Sequence, residues 1–173
     1  PLLESPMGVA AAGAADDLSV YVADHIHGRV LRLRLADEQI VSSSAPGTLD
    51  LPSGVAARSG SVGRVYVTDT GLHRVAIFDA ELRLLGTFGT FGAGDAEFDH
   101  PVDVDAKSDT VYVADANNHR ICVHELGGAF RRAIGTRGRA PGQFVYPRGV
   151  ALLGECRPEP ARRLVVSESV SGG

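Results

Sequence analysis

Four times along the chain a proline opens the same short phrase. Pro6-Met7-Gly8-Val9-Ala10 returns as Pro52-Ser53-Gly54-Val55-Ala56, as Pro101-Val102-Asp103-Val104-Asp105 and as Pro147-Arg148-Gly149-Val150-Ala151, at spacings of 46, 49 and 46 residues. A second run follows each in phase: Val20-Tyr21-Val22-Ala23-Asp24, Val65-Tyr66-Val67-Thr68-Asp69, Val111-Tyr112-Val113-Ala114-Asp115 and the weaker Leu164-Val165-Val166-Ser167-Glu168. Self-similarity at this period is the signature of an architecture assembled from one repeated supersecondary unit.

A third run opens on arginine, at Arg29-Val30-Leu31, Arg74-Val75-Ala76 and Arg120-Ile121-Cys122. In the second and third copies a fourth run, Leu84–Gly89 or Phe130–Gly135, leads through glycine-rich sequence to Phe98-Asp99-His100-Pro101 or Phe144-Val145-Tyr146-Pro147. Short β-branched and aromatic runs between Gly, Asn, Asp and Pro turns read as strands, and no stretch sustains a 3.6-residue apolar period. The expected fold class is therefore all-β: a β-propeller of four-stranded antiparallel blades, with about three and a half blades present. The whole chain, 1–173, reads as one propeller segment with blades near 6–51, 52–100, 101–146 and a partial 147–173. First strands are expected to start near Val9, Val55, Val102 and Val150. Gly154–Ala161, rich in proline and charge, is expected to be an exposed loop.

In sequence, P-x-G-V-A, V-Y-V-A-D, N-x-R-[IV], F-x-x-x-G and G-x-F-x-x-P resemble the NHL repeat, with Asn117-Asn118-His119-Arg120-Ile121 carrying an H-R variant of the third element. The Trp-Asp signature of the other repeat of similar period is missing, since the chain has no Trp. The resemblance implies a ring of six blades, which would take roughly 280 residues. The chain thus reads as an open arc, a fragment of a larger ring, or an arc completed by another chain. The family includes RNA-binding ubiquitin ligases of the TRIM type, sensor kinases and redox proteins, with the amidating lyases as related propellers, so the resemblance leaves function open.

Composition narrows the classes. With 44% hydrophobic and 22% charged residues the chain is of ordinary globular balance, and no apolar run is long enough for a membrane span. The compartment stays open, with the cytoplasm preferred. Cys122 and Cys156 form neither a disulfide framework nor a zinc motif and read as ordinary thiols. The net charge of −4 hides an asymmetry: residues 1–119 carry 17 acidic and 8 basic side chains, residues 120–173 carry 4 and 9. An acidic chain lacks the basic stripe that nucleic acid requires, so a protein partner is preferred and RNA stays the lesser choice.

Topology alone puts the strand 2–3 connections on the same side as the links between blades. That face should carry His25, His27, the loops Thr70–His73 and Ala116–His119, and the links ending at His100 and Tyr146. Its candidate partner-binding residues are His73, Arg74, Asn117, Asn118, His119 and Arg120. The repeated Asp24, Asp69 and Asp115, with Arg29 and its repeats, read as architectural: an Asp at a strand end accepts from the turn that follows, and the Arg pairs with it. His73 and His119 occupy matching positions in adjacent blades, away from the axis where metal ligands would converge, so no metal, cofactor or catalytic residue is assigned. The glycine runs precede strands rather than a helix and cannot form a phosphate loop. The reading is a non-catalytic scaffold that binds a protein through its loop face. The alternative is part of a propeller enzyme of the amidating-lyase or lactonase kind, with a metal at the axis.

Overall fold

A computed structural model of the protein describes residues 3–14, 17–59, 63–153 and 163–169. The loop expected over Gly154–Ala161, and Cys156 within it, lie outside them. Three consecutive four-stranded antiparallel sheets are built from β1 (Pro6–Ala12), β2 (Ser19–Asp24), β3 (Arg29–Arg34) and β4 (Gln39–Ser43); from β5 (Pro52–Arg58), β6 (Arg64–Asp69), β7 (Arg74–Asp79) and β8 (Leu84–Phe88); and from β9 (Pro101–Lys107), β10 (Thr110–Asp115), β11 (Arg120–Glu125) and β12 (Phe130–Ile134). A two-stranded sheet follows, β13 (Pro147–Leu153) with β14 (Arg163–Glu168). The all-β propeller class stands. A 3-10 turn, Thr70–Leu72, joins β6 to β7, and no helix among the described residues is long and apolar enough to cross a membrane.

Each first strand opens on its proline rather than on the valine beyond it. The pairing with the second strand slips between Pro6 and Val9, between Pro52 and Val55 and between Pro147 and Gly149, and at the same place opposite Asp115 in the third sheet. Proline has no N–H to give to a ladder, and the head of a strand beside a bulge is where a sheet tolerates it.

The second strands explain the V-Y-V phrase. Side chains alternate across a strand, and β6 and β10 are covered on both faces, while β2 leaves Val20 and Val22 half-buried on its outer one. Val65 and Val67 enter the layer shared with the first sheet, beside Tyr21, Val30 and Phe78, while Tyr66 points the other way, into a layer with Phe98, Val111, Val113 and Cys122. One sheet on, Tyr112 and Ala114 take the third layer with Ile121, Val150 and Leu152. Each fully buried valine or phenylalanine contributes about 1.5–3 kcal/mol relative to exposure. Tyrosine adds a joint: Tyr21 donates to Ala80 O at 3.1 Å and Tyr66 to Leu126 O at 3.0 Å, each reaching the outer turn of the next sheet.

First strands of neighbouring sheets pack side by side, and the glycine of P-x-G-V-A makes the approach possible. A Cβ on Gly8 would lie 2.2 Å from Ser53 O, and one on Gly54 would lie 2.5 Å from the Asp103 Cα. In the third sheet the repeat departs from Gly and Ala to Asp103 and Asp105, whose Oδ2 atoms accept the amides of Val150 at 2.8 Å and Leu152 at 2.7 Å. Carboxylates there bridge first strands where small residues close the gap elsewhere.

Gly54→Ala therefore drives a methyl into backbone and should cost about 1–3 kcal/mol in chemical denaturation, the range of core overpacking. Gly86→Ala on β8, where an added Cβ meets nothing within 4 Å, should be neutral or slightly stabilising. Equal effects of the two would refute the close-packing account.

Candidate functional site

The loop face is organised by three buried carboxylates. Asp24, Asp69 and Asp115 end the second strands with no exposed surface. One oxygen of each accepts an amide from the link that precedes its sheet: Glu4 N at 3.0 Å, Asp50 N at 2.7 Å and Asp99 N at 2.7 Å. The other oxygen takes the guanidinium five residues on, Arg29 at 2.9 Å, Arg74 at 2.8 Å and Arg120 at 2.8 Å. Burial pushes the Asp69 and Asp115 carboxyls above the usual range in spite of these donors. At Asp24 burial also raises the pKa, but the bonds from Glu4 N, His27 and Arg29 outweigh it and hold the group low.

The arginines reach further. Arg74 donates to Thr48 O at 2.9 Å; Arg120 donates to Ala93 O at 3.0 Å and to Gly94 O and Glu97 O at 2.8 Å. Both were expected among the residues that meet a partner, and both spend their donors on the chain's own link. Asn118 bonds Gly92 O at 2.8 Å and Asp115 at 2.9 Å. His119 is buried, and its Nδ1 accepts the Tyr146 amide at 3.2 Å. His73 does the same for the His100 amide, also at 3.2 Å. Asn117, exposed, bonds Asp99 at 3.1 Å. Of the six candidates, Asn117 is exposed, His73, Arg74, Asn118 and Arg120 are half-buried, and His119 is buried.

Two histidines whose position the repeat did not distinguish stand by the axis. His25, bonded through Nδ1 to Pro52 O at 3.0 Å, and His100 line a cleft of about 530 Å³ together with Met7, Thr70, Asp103 and Arg148. Burial raises the Asp103 carboxyl despite amide bonds from Val150 and Val104. The sequence signal for Asp103 was its place in the glycine slot of the repeat. His124, the one histidine away from this face, is fully buried against Phe88, Phe98 and Phe130, and burial pushes its imidazole down. Cys122 is buried too, its thiol pushed up to about 12 by burial, so it is unreactive.

Beside the polar Asn117 and His100, the loop face leaves four large apolar side chains open. Ile26 is 55% exposed, Leu72 46%, Phe91 68% and Tyr146 41%. Ile26 and Leu72 sit in the connections between second and third strands of the first two sheets, and Phe91 and Tyr146 in the links that follow the second and third, Phe91 edge-on to the His73 ring at 4.8 Å and Tyr146 against His119 at 4.6 Å. The repeat motifs did not mark them, because they fall in the variable positions between conserved-looking phrases.

Residues 98–123 match the family profile of the NHL repeat. No curated protein sequence matches the chain. Among solved structures the chain is similar to the hydrazine synthase of Kuenenia stuttgartiensis, at 14% identity and a TM-score of 0.68 over 97% of this chain and 47% of that one. A nidogen/laminin complex follows at 19% and 0.65, over 86% of this chain and 52% of that one. The virginiamycin B lyase of Staphylococcus aureus follows at 16% and 0.60, over 84% and 44%. The chain thus spans about half the length of these structures, and at such identities the likeness is one of fold.

Two measurements check the electrostatics. Arg120→Met leaves the buried Asp115 without its guanidinium and should cost about 3–5 kcal/mol in denaturant unfolding, against about 0.5 or less for Arg83→Met in the exposed pair with Asp79. For Asp103, the folded-state pKa lies above the unfolded one, so the folded protein takes up this proton first and the group's contribution to stability rises as the pH falls toward about 3.9. Asp103→Asn should accordingly show its greatest stability relative to wild type near neutral pH, with the gap shrinking in acid. A gap independent of pH would mean that the carboxyl titrates as an exposed one.

Proposed function

We propose that this chain, which carries an NHL repeat and folds into β-propeller blades, is a non-catalytic docking frame that takes up a protein partner on its loop face. The observation that carries the reading is the row of exposed apolar side chains, Ile26, Leu72, Phe91 and Tyr146, on loops that are themselves fixed by buried ion pairs. Protein interfaces centre on aromatic and aliphatic anchors held in place before contact, because little side-chain or loop entropy is then lost on binding. A protein is favoured over RNA because two arginines of the face are engaged internally and the net charge is −4. Exposed arginines near the links, Arg137, Arg139 and Arg148, are what an anionic strand would have to use on this side.

A second reading rests on the axial cleft. A carboxyl raised by burial, two imidazoles and a guanidinium about one opening are the groups that acid–base chemistry uses. It predicts turnover that responds to His25 and Asp103 and is indifferent to Phe91.

The test is a partner recovered with the wild-type protein, identified, purified and titrated against variants. Phe91→Glu with Leu72→Glu should weaken its binding by about 30-fold or more, the effect of losing about 2 kcal/mol at an interface centre. The thermal midpoint should stay unchanged, since both side chains are exposed. Leu84→Glu with Leu85→Glu, equally exposed on β8, should bind as wild type. Binding that survives the Phe91 pair, or that nuclease abolishes, would overturn the protein-docking reading.

A further inference from the structure

The links between sheets repeat one contact and vary what surrounds it. A residue in the left-handed region precedes the third strand in every full sheet, Gly28, His73 and His119 with φ of 59°, 52° and 56°. Another precedes each first-strand proline, Ser5, Leu51, His100 and Tyr146 with φ of 59°, 51°, 59° and 52°. Where the first of these is histidine, its Nδ1 accepts the amide of the second: His73 from His100, His119 from Tyr146. The two contacts have the same length, and they differ in the side chains around them. Beside His119 stand Val145 and Tyr146. Beside His73 stand Asp99 and His100, while the first sheet offers Gly28 with Asp50 and Leu51. Two imidazoles and a carboxylate thus meet at one of three equivalent places.

We infer that His73, Asp99 and His100 form a binding site for a first-row divalent cation of the zinc class. One donor atom from each lies within 4.8 Å of the others, and His73 Nδ1 is 3.7 Å from Asp99 Oδ1. Bonds of about 2.0–2.2 Å in a tetrahedral set place ligand atoms about 3.4 Å apart, so rotation of the exposed His100 side chain closes the set. Two nitrogens and one oxygen suit zinc, cobalt or nickel rather than calcium or magnesium, which take oxygen alone. Three protein ligands leave a fourth position for water or a substrate atom.

The outer contacts fit the same purpose. Asn117 donates to Asp99 Oδ1 at 3.1 Å, orienting the carboxylate, and Phe91 packs edge-on against the His73 ring. The competing bond is the one at His73 Nδ1. Because His100 is exposed, water can replace that amide contact when the ion takes the lone pair, at small cost. The ligands come from one strand connection and from the link beside it, not from matching positions around the ring, and His100 also lines the neighbouring cleft. It stands independently of the docking reading.

The test is a cobalt(II) titration of the metal-free protein, followed by zinc competition. The expected result is one equivalent bound, with visible absorption of the intensity that tetrahedral coordination gives, displaced by zinc and not by magnesium or calcium. Asp99→Asn keeps an acceptor for Asn117, and His100→Asn keeps a residue that tolerates the left-handed backbone; each should weaken binding at least tenfold with folding intact by circular dichroism. Asn117→Ala should weaken it by about tenfold, the lower end of what outer-shell partners contribute. His119→Asn, which removes the equivalent contact one sheet on, should bind as wild type. No cobalt bound at one equivalent, or binding that Asp99→Asn and His100→Asn leave undiminished, overturns the inference.

Discussion

A carboxylate with no exposed surface, at the end of each second strand, is what the loop face depends on. A link of irregular backbone must find partners for its amides and carbonyls, and a surface loop normally finds them in water. Here Asp24, Asp69 and Asp115 take an amide from the link on one oxygen and a guanidinium on the other. In the second and third sheets the guanidinium in turn satisfies carbonyls of the same link. Remove the carboxylate and an arginine loses its counter-charge while a link loses its anchor. The loops are accordingly part of the frame, and any surface they present is presented in a fixed shape.

Much of this was legible in the sequence because repetition multiplies evidence. The V-Y-V-[AT]-D phrase is three short strands, the second and third buried on both faces and the first on one, and its tyrosine and aspartate each have one spatial role that recurs. The turn prolines and glycines located the first strands but not their starts, since a bulge lets the proline itself open the ladder and carries it past the valines. The arginines were ambiguous in the sequence: a repeated Arg can hold a turn or meet a partner, and which it does is decided by carbonyls more than twenty residues away, such as Gly94 O and Glu97 O for Arg120. The loop holding Leu72 and the link ending at Tyr146 were placed on this face by topology, but the apolar exposure of Ile26, Leu72, Phe91 and Tyr146 was not legible, because it is defined by what repeats do not share.

The departures from the repeat are where chemistry collects. Asp103 and Asp105 replace Gly and Ala at first-strand positions, and one of them faces a cleft with His25 and His100. Asp99 and His100 stand in a link whose counterparts hold Asp50 and Leu51, or Val145 and Tyr146. A repeat protein holds its architecture in what recurs and is free to place function in what does not, since a changed residue at one copy leaves the others to hold the shape.

The tyrosine joints bear on how such an array comes apart. Tyr21 reaches the second sheet and Tyr66 the third, each through one hydroxyl to one turn carbonyl, and each apolar layer is likewise shared by two neighbours. Contacts of this range make a one-dimensional chain of coupled units. Cooperativity then extends only as far as the seams are strong relative to the sheets, and since one hydroxyl contact is worth about 0.5–1.5 kcal/mol, it is the shared apolar layer that decides whether neighbouring sheets melt together, the tyrosine setting their register.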